Sequence, residues 1–155
     1  MVEVSRSFPV NVPGEPVLGR AEVWHGLELK ARNALPFVKR MQNCVVLEEH
    51  DGWLVRDIEI RDEQHRERVT LTPQEQVRFE RIAGPTTGYI LNEILTNDAG
   101  DLELRFTFRL HRQGMDPGGP AEVAYFAQME DQYADAVRTT LAQIRQLIKQ
   151  EQAID

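Results

Sequence analysis

The sequence predicts an α+β fold in which an antiparallel sheet of about seven strands wraps one long C-terminal helix, with two short helices near the N-terminus. Three observations predict it. Six strand-like runs follow one another between Cys44 and His111 with only short turns between them, and short connections force neighbouring strands antiparallel, because a parallel pair needs a long crossover. The last run alternates cleanly: Leu102, Leu104, Phe106, Phe108 and Leu110 share one face, and Glu103, Arg105, Thr107 and Arg109 share the other. That is the pattern of a sheet with one wet face. After Pro120 the period changes, and Phe126, Met129, Tyr133, Val137, Leu141, Ile144 and Ile148 recur at the spacing of one helical face.

Each element follows from local chemistry. Val2 to Val10 alternates apolar and polar residues as a half-exposed strand does. Pro13-Gly14-Glu15-Pro16 then breaks the chain, and Pro16 is placed to begin a helix. Val17, Ala21, Trp24, Leu27 or Glu28, and Ala31 continue at helical spacing, until Asn33-Ala34-Leu35-Pro36 interrupts and Pro36 opens a second short helix through Met41. The strands Cys44–Glu49, Trp53–Arg61, Arg66–Leu71, Gln76–Ile82, Tyr89–Thr96 and Leu102–His111 each stop at turn formers, among them Asp51-Gly52, a strong hairpin signal. The final helix, from about Ala121 to Gln150, is about 45 Å long. Its acidic residues, Glu122, Glu130, Asp131 and Asp135, precede its basic ones, Arg138, Arg145 and Lys149, as the helix dipole favours.

The chain has 155 residues, the size of one domain spanning 1–155. Apolar residues at 41% and charged residues at 28% exclude a disordered chain. With 18 Lys and Arg against 25 Asp and Glu the net charge is −7, and no basic run reverses it locally, so nucleic acid is not an expected partner. Cys44 is the lone cysteine, which excludes an internal disulfide and a multi-cysteine zinc site. Met1 to Val12 lacks the apolar core of a secretory signal. No window approaches the roughly 20 apolar residues of a spanning helix. A cytoplasmic protein with no membrane insertion is expected, and a homodimer is left open.

The apolar face of such a sheet must be covered, and only the long helix is large enough to do so. A twisted sheet curls away from one rod, so a hollow is expected between them, where ligand sites form. The residues expected to line it are Phe126, Met129 and Tyr133 on the helix and Phe106 and Phe108 on the last strand, with Phe79 and Tyr89 joining from neighbouring strands. Their competing role is plain core packing. If the apolar majority faces inward, Arg56 accompanies Leu54, Ile58 and Ile60, and Arg81 accompanies Val77 and Phe79. Tyr89, Leu91, Glu93 and Leu95 face inward on the next strand, or else Ile90, Asn92 and Ile94 do. A buried arginine needs a partner, such as Glu93 for Arg81, or a watery cavity in which to receive a carboxylate or enolate oxygen of a ligand.

Other chemistry is sparse. His25, His50, His65 and His111 form no metal-ligand spacing, so no metal is expected. His111 ends a strand beside the Gly/Pro loop and, with Glu93, is the candidate for acid–base catalysis. Gly26 inside a helix signals close packing, Trp24 an anchor to the core, and Lys30 a snorkelling surface charge. No nucleophile elbow, phosphate loop or dinucleotide fingerprint is present, and no cofactor is expected.

The order β-αα-β6-α resembles the START/SRPBCC superfamily, whose helix-grip fold is shared by the plant pathogenesis-related pollen allergens. The stretch Val23-Trp24-His25-Gly26-Leu27-Glu28-Leu29-Lys30-Ala31-Arg32 with Pro36-Phe37-Val38 is similar to the hallmark of its small AtaL-like family, whose members mostly lack an assigned activity. Leu104-Arg105-Phe106-Thr107-Phe108 and Thr139 to Arg145 are similar to its later segments. The allergens' glycine-rich loop is replaced here by His50-Asp51-Gly52. The resemblance implies a pocket for lipid-, sterol- or polyketide-like molecules. The expected function is therefore binding of a small hydrophobic ligand with one polar end. The alternatives are a cyclase, hydratase or isomerase using His111, Tyr89, Tyr133 or Glu93, and an interaction protein with a filled interior.

Overall fold

The computed structural model describes residues 1–154, with side chains through Glu151. The elements are β1 (Val2–Pro9), α1 (Arg20–Arg32), β2 (Met41–His50), β3 (Trp53–Ile60), β4 (Glu63–Thr72), β5 (Gln76–Ala83), β6 (Thr86–Thr96), β7 (Leu102–Arg112) and α2 (Pro120–Ile154). The strands form one antiparallel sheet in the order β1-β7-β6-β5-β4-β3-β2. After β1 the chain crosses by way of α1 to the far edge, then returns strand by strand until β7 lies beside β1.

Two expectations near the N-terminus are corrected. Pro16 does not begin α1, which starts at Arg20. The Asn11 side chain clamps the intervening loop: its Nδ2 donates to the Leu18 carbonyl at 3.0 Å and its Oδ1 accepts from the Leu18 N–H at 2.7 Å. The helix then opens with the Glu22 carboxylate accepting from the Gly19 N–H at 3.0 Å, an anion placed in the first turn where the dipole favours it. Nor does Pro36 begin a second helix. The N–H groups of Phe37 and Val38 both donate to the Ala34 carbonyl, giving a single turn that buries Ala34 and Phe37 before the chain enters β2 at Met41.

Two hairpins set the register on the cavity side of the sheet. Gly52 takes the left-handed conformation in the β2–β3 turn, as its Asp-Gly pair predicts. The β3–β4 turn uses Arg61 and Asp62, both with positive φ and neither a glycine. The Gln42 side chain accepts from the Asp62 N–H and donates to its carboxylate, holding that conformation.

The helices meet the sheet unevenly. α2 packs on β1, β7 and α1, and α1 packs on β6 and β2. Gly26 permits the helix–helix approach, because a methyl group there would overlap Cγ1 and Cδ1 of Ile144. The start of α2 is pinned by Glu122, which is fully buried and accepts from the N–H groups of Gly118 and Arg112, from His111 Nδ1 at 2.6 Å and from the Met1 amino group at 2.9 Å. Burial opposes its charge, but those donors prevail and hold its pKa down to about 2. With α2 fixed against the β1–β7 side, the β3–β5 side of the sheet curves away from it, and the space between is not filled.

Candidate functional site

That space is a cavity of about 540 Å³, within the size range of pockets that enclose a small organic ligand. Ile58 and Ile60 of β3, Phe79 of β5, Ile90 of β6, Phe106 of β7 and Val137 of α2 supply its apolar wall. The exposed Lys39 and Arg40, with Arg61 and with Asp131, Gln132 and Asp135 of α2, form its rim. Two polar contacts join sheet side to helix there: Lys39 Nζ lies 3.6 Å from Asp135 Oδ2, and Arg61 donates to Gln132.

The deep end is polar, and strand register explains why. Arg56 stands opposite Glu67 in the β3–β4 pair, and Glu67 stands opposite Arg81 in the β4–β5 pair. All three side chains point inward, so two arginines flank one carboxylate on adjacent strands, the arrangement that cross-strand pairing favours. Arg56 Nε donates to Glu67 Oε1 at 3.0 Å and Arg81 Nε to Glu67 Oε2 at 2.8 Å. Arg56 Nη1 also donates to the carbonyls of Lys30 and Ala31, both at 2.9 Å, satisfying two acceptors near the end of α1. Glu67 is 1% exposed. Burial pushes its carboxyl toward the neutral form, but Arg56 and then Arg81 outweigh that and hold it below the ordinary carboxylate range.

Lys30 completes the cluster from α1. It is buried, borders the cavity, and donates from Nζ to Asn92 Oδ1 at 2.8 Å. Burial first and the Arg56 charge second lower its pKa to about 8, against a partial opposing pull from Glu67. Tyr133 reaches in from α2, its ring tilted against that of Phe108 with centroids 4.9 Å apart, and burial raises its phenol above the usual value. His65, also buried, lies 3.5 Å from Arg81 through Nδ1. Burial and then Arg81 lower its pKa to about 4, so it is neutral.

The structure divides the residues singled out from sequence. Phe79, Phe106, Tyr133, Arg56 and Arg81 border the cavity. Phe108, Phe126 and Met129 are buried in the core beside it, Phe126 packing against Phe108 with centroids 5.7 Å apart. Tyr89 and Glu93 lie on the other face of the sheet, because β6 turns Ile90, Asn92 and Ile94 inward. Tyr89 there lies under the Arg78 guanidinium and Glu93 pairs with Arg105 at 3.0 Å. Arg81 consequently pairs with Glu67 rather than Glu93. His111 is held by Glu122 at the start of α2 and does not border the cavity.

Two central residues escape the sequence reading. Lys30 is not a surface charge. It belongs to the stripe Val23, Leu27, Lys30, Ala31 that faces the interior, and helical spacing contained that signal. Glu67 shares inward parity with Val69 in β4, so extending the alternation backwards from Val69 would have found it.

A seven-stranded antiparallel sheet gripping a long C-terminal helix, with a cavity between them, is the helix-grip fold. The chain belongs to the AtaL family, described as acetylaranotin biosynthesis cluster protein L, whose model matches residues 4–151. Solved structures carry the same fold at low identity. The Zhui aromatase/cyclase from a Streptomyces species has a TM-score of 0.76 and 15% identity, with 95% of each chain covered. A START superfamily protein from Mycobacterium smegmatis has a TM-score of 0.63 and 14% identity over 92% of this chain and 98% of that one. Ara h 8.0201 has a TM-score of 0.60 and 11% identity over 92% and 97%. No curated protein matches the chain in sequence. Among the described residues no helix is long and apolar enough to cross a membrane.

Proposed function

We propose that this protein binds a small, largely apolar molecule in the hollow between the sheet and α2, with a polar group of that molecule turned toward the Arg56, Glu67, Arg81 and Lys30 end. The cavity of about 540 Å³ carries this reading: a core free to collapse would not leave such a space, since protein interiors are close-packed. The body of the ligand is lipid-, sterol- or polyketide-like, which agrees with the apolar wall and with an aromatase/cyclase among the solved structures of like fold. A binding role is favoured over an enzymatic one because, of the residues weighed for proton transfer, only Tyr133 borders the cavity.

Titration with the neutral dye N-phenylnaphthylamine, which fluoresces on leaving water, tests the proposal. The expected result is a saturable signal at one dye per chain. Ala136 borders the cavity from α2, so Ala136→Trp fills it and weakens the dye by about tenfold or more, or about 1.4 kcal/mol. Absence of saturable binding, or equal binding by a folded Ala136→Trp protein, would contradict the reading.

A further inference from the structure

The buried polar cluster is unequal in charge: Lys30, Arg56 and Arg81 face one carboxylate, Glu67. Both arginines are already paired with that carboxylate. Arg56 uses Nε and Nη2 on Glu67 and Nη1 on two backbone carbonyls, while Arg81 uses Nε on Glu67 and has Nη1 against His65. Lys30 differs. Its ammonium has three donors; Asn92 takes one, and among the described residues no carboxylate lies within salt-bridge distance of Nζ. A desolvated cation with donors to spare, on the wall of an apolar cavity, is an incomplete ion pair. Burying a charge without a partner is costly, and a bound anion removes that cost.

We propose that Lys30, positioned by Asn92, is the seat for a carboxylate on the cavity's otherwise apolar ligand. This rests on the binding reading above and moves the anchoring role from the arginines to the lysine. The Arg56–Glu67–Arg81 ladder is then the rigid support behind the seat. The Phe79 ring, 5.7 Å from Nζ, borders it on the apolar side.

The test displaces N-phenylnaphthylamine with decanoate or with decanol, which share a chain and differ at the end group. An apolar hollow without a cation takes up the alcohol more readily, because a carboxylate loses far more on leaving water. The seat reverses that order, with decanoate competing at least about tenfold better than decanol, as a charge-assisted hydrogen bond supplies. Lys30→Met removes the preference, decanoate then competing no better than decanol, and a cooperative thermal unfolding transition shows that the variant is folded.

A second arm needs no variant. Free Lys30 loses its proton as pH rises through about 8, and a bound carboxylate holds that proton more tightly. The decanoate advantage is therefore complete below pH 8 and declines above it, while dye binding stays level. The other groups facing this end are Arg56 from β3, Glu67 from β4, Arg81 from β5, Tyr133 from α2, and Cys44 of β2 beside Arg56. Glu67 is held ionised and Tyr133 protonated over that range, and a Cys44→Ser protein giving the same profile excludes the thiol. Equal displacement by the two competitors, no displacement by decanoate, or a preference that survives in Lys30→Met overturns the inference and leaves the binding reading standing. Failure of the dye itself to bind overturns that reading.

Discussion

Glu67→Gln is expected to destabilise the protein by about 3–5 kcal/mol, the loss seen when one partner of a buried ion pair is removed. Glutamine keeps the shape of the side chain but not its charge. Arg56 and Arg81, 3% and 8% exposed, are then left as neighbouring buried cations with no carboxylate between them. In urea the midpoint falls with little change in slope, because the surface exposed on unfolding is the same. The exposed pair Arg66–Asp57 is the internal control. Its geometry is good, with two donors on one carboxylate, yet solvent screens it, and Asp57→Asn is expected to move the midpoint little. Equal effects at the two sites would contradict the view that the ladder is a buried structural support.

Gly26→Leu is expected to be the most damaging change on α1. Even Gly26→Ala places a methyl group into Cγ1 and Cδ1 of Ile144. Alanine gains about 1 kcal/mol of helix propensity, but overpacking costs about 1–3 kcal/mol, so the net effect is a loss, and leucine enlarges it. The two outcomes are separated by coupling. Ile144→Ala alone opens a cavity and costs about 2–5 kcal/mol, but it removes both atoms that the new methyl group meets. The Gly26→Ala, Ile144→Ala double variant is therefore expected to be more stable than the sum of the single losses allows, by about 0.5 kcal/mol or more. Strict additivity would mean that α1 and α2 do not approach closely at Gly26.

These residues also indicate how far the sequence carries. Alternation along β7 and the turns between the strands specified the antiparallel sheet, and the stripe from Phe126 to Ile148 specified α2, because periods of 2 and 3.6 report which face is buried. The inward parity of Arg56 and Arg81 followed from the same rule. β6 was ambiguous, since Tyr89, Leu91 and Leu95 make one face as apolar as Ile90 and Ile94 make the other. Only pairing resolves it: Phe79 stands opposite Ile90 and Val77 opposite Asn92, which turns Asn92 inward and Glu93 out. Lys30 and Glu67 were overlooked because charge suggests solvent. Their burial depends on partners that are distant in sequence, Asn92 for one and two arginines on flanking strands for the other. The missing second helix has a similar origin. Pro36 permits a helix, but burial of Ala34 and Phe37 beside the entry to β2 leaves room for one turn.

The hollow itself arises from a mismatch no single element records: α2 lies against β1 and β7, and the other half of the sheet turns away. A crystal structure of the protein grown with N-phenylnaphthylamine tests this most directly. The account predicts one dye molecule enclosed between Phe79, Ile90 and Phe106 on the sheet side and Val137 on the helix side. A hollow closed by the protein's own side chains, with the dye on the outer surface or absent, would contradict it.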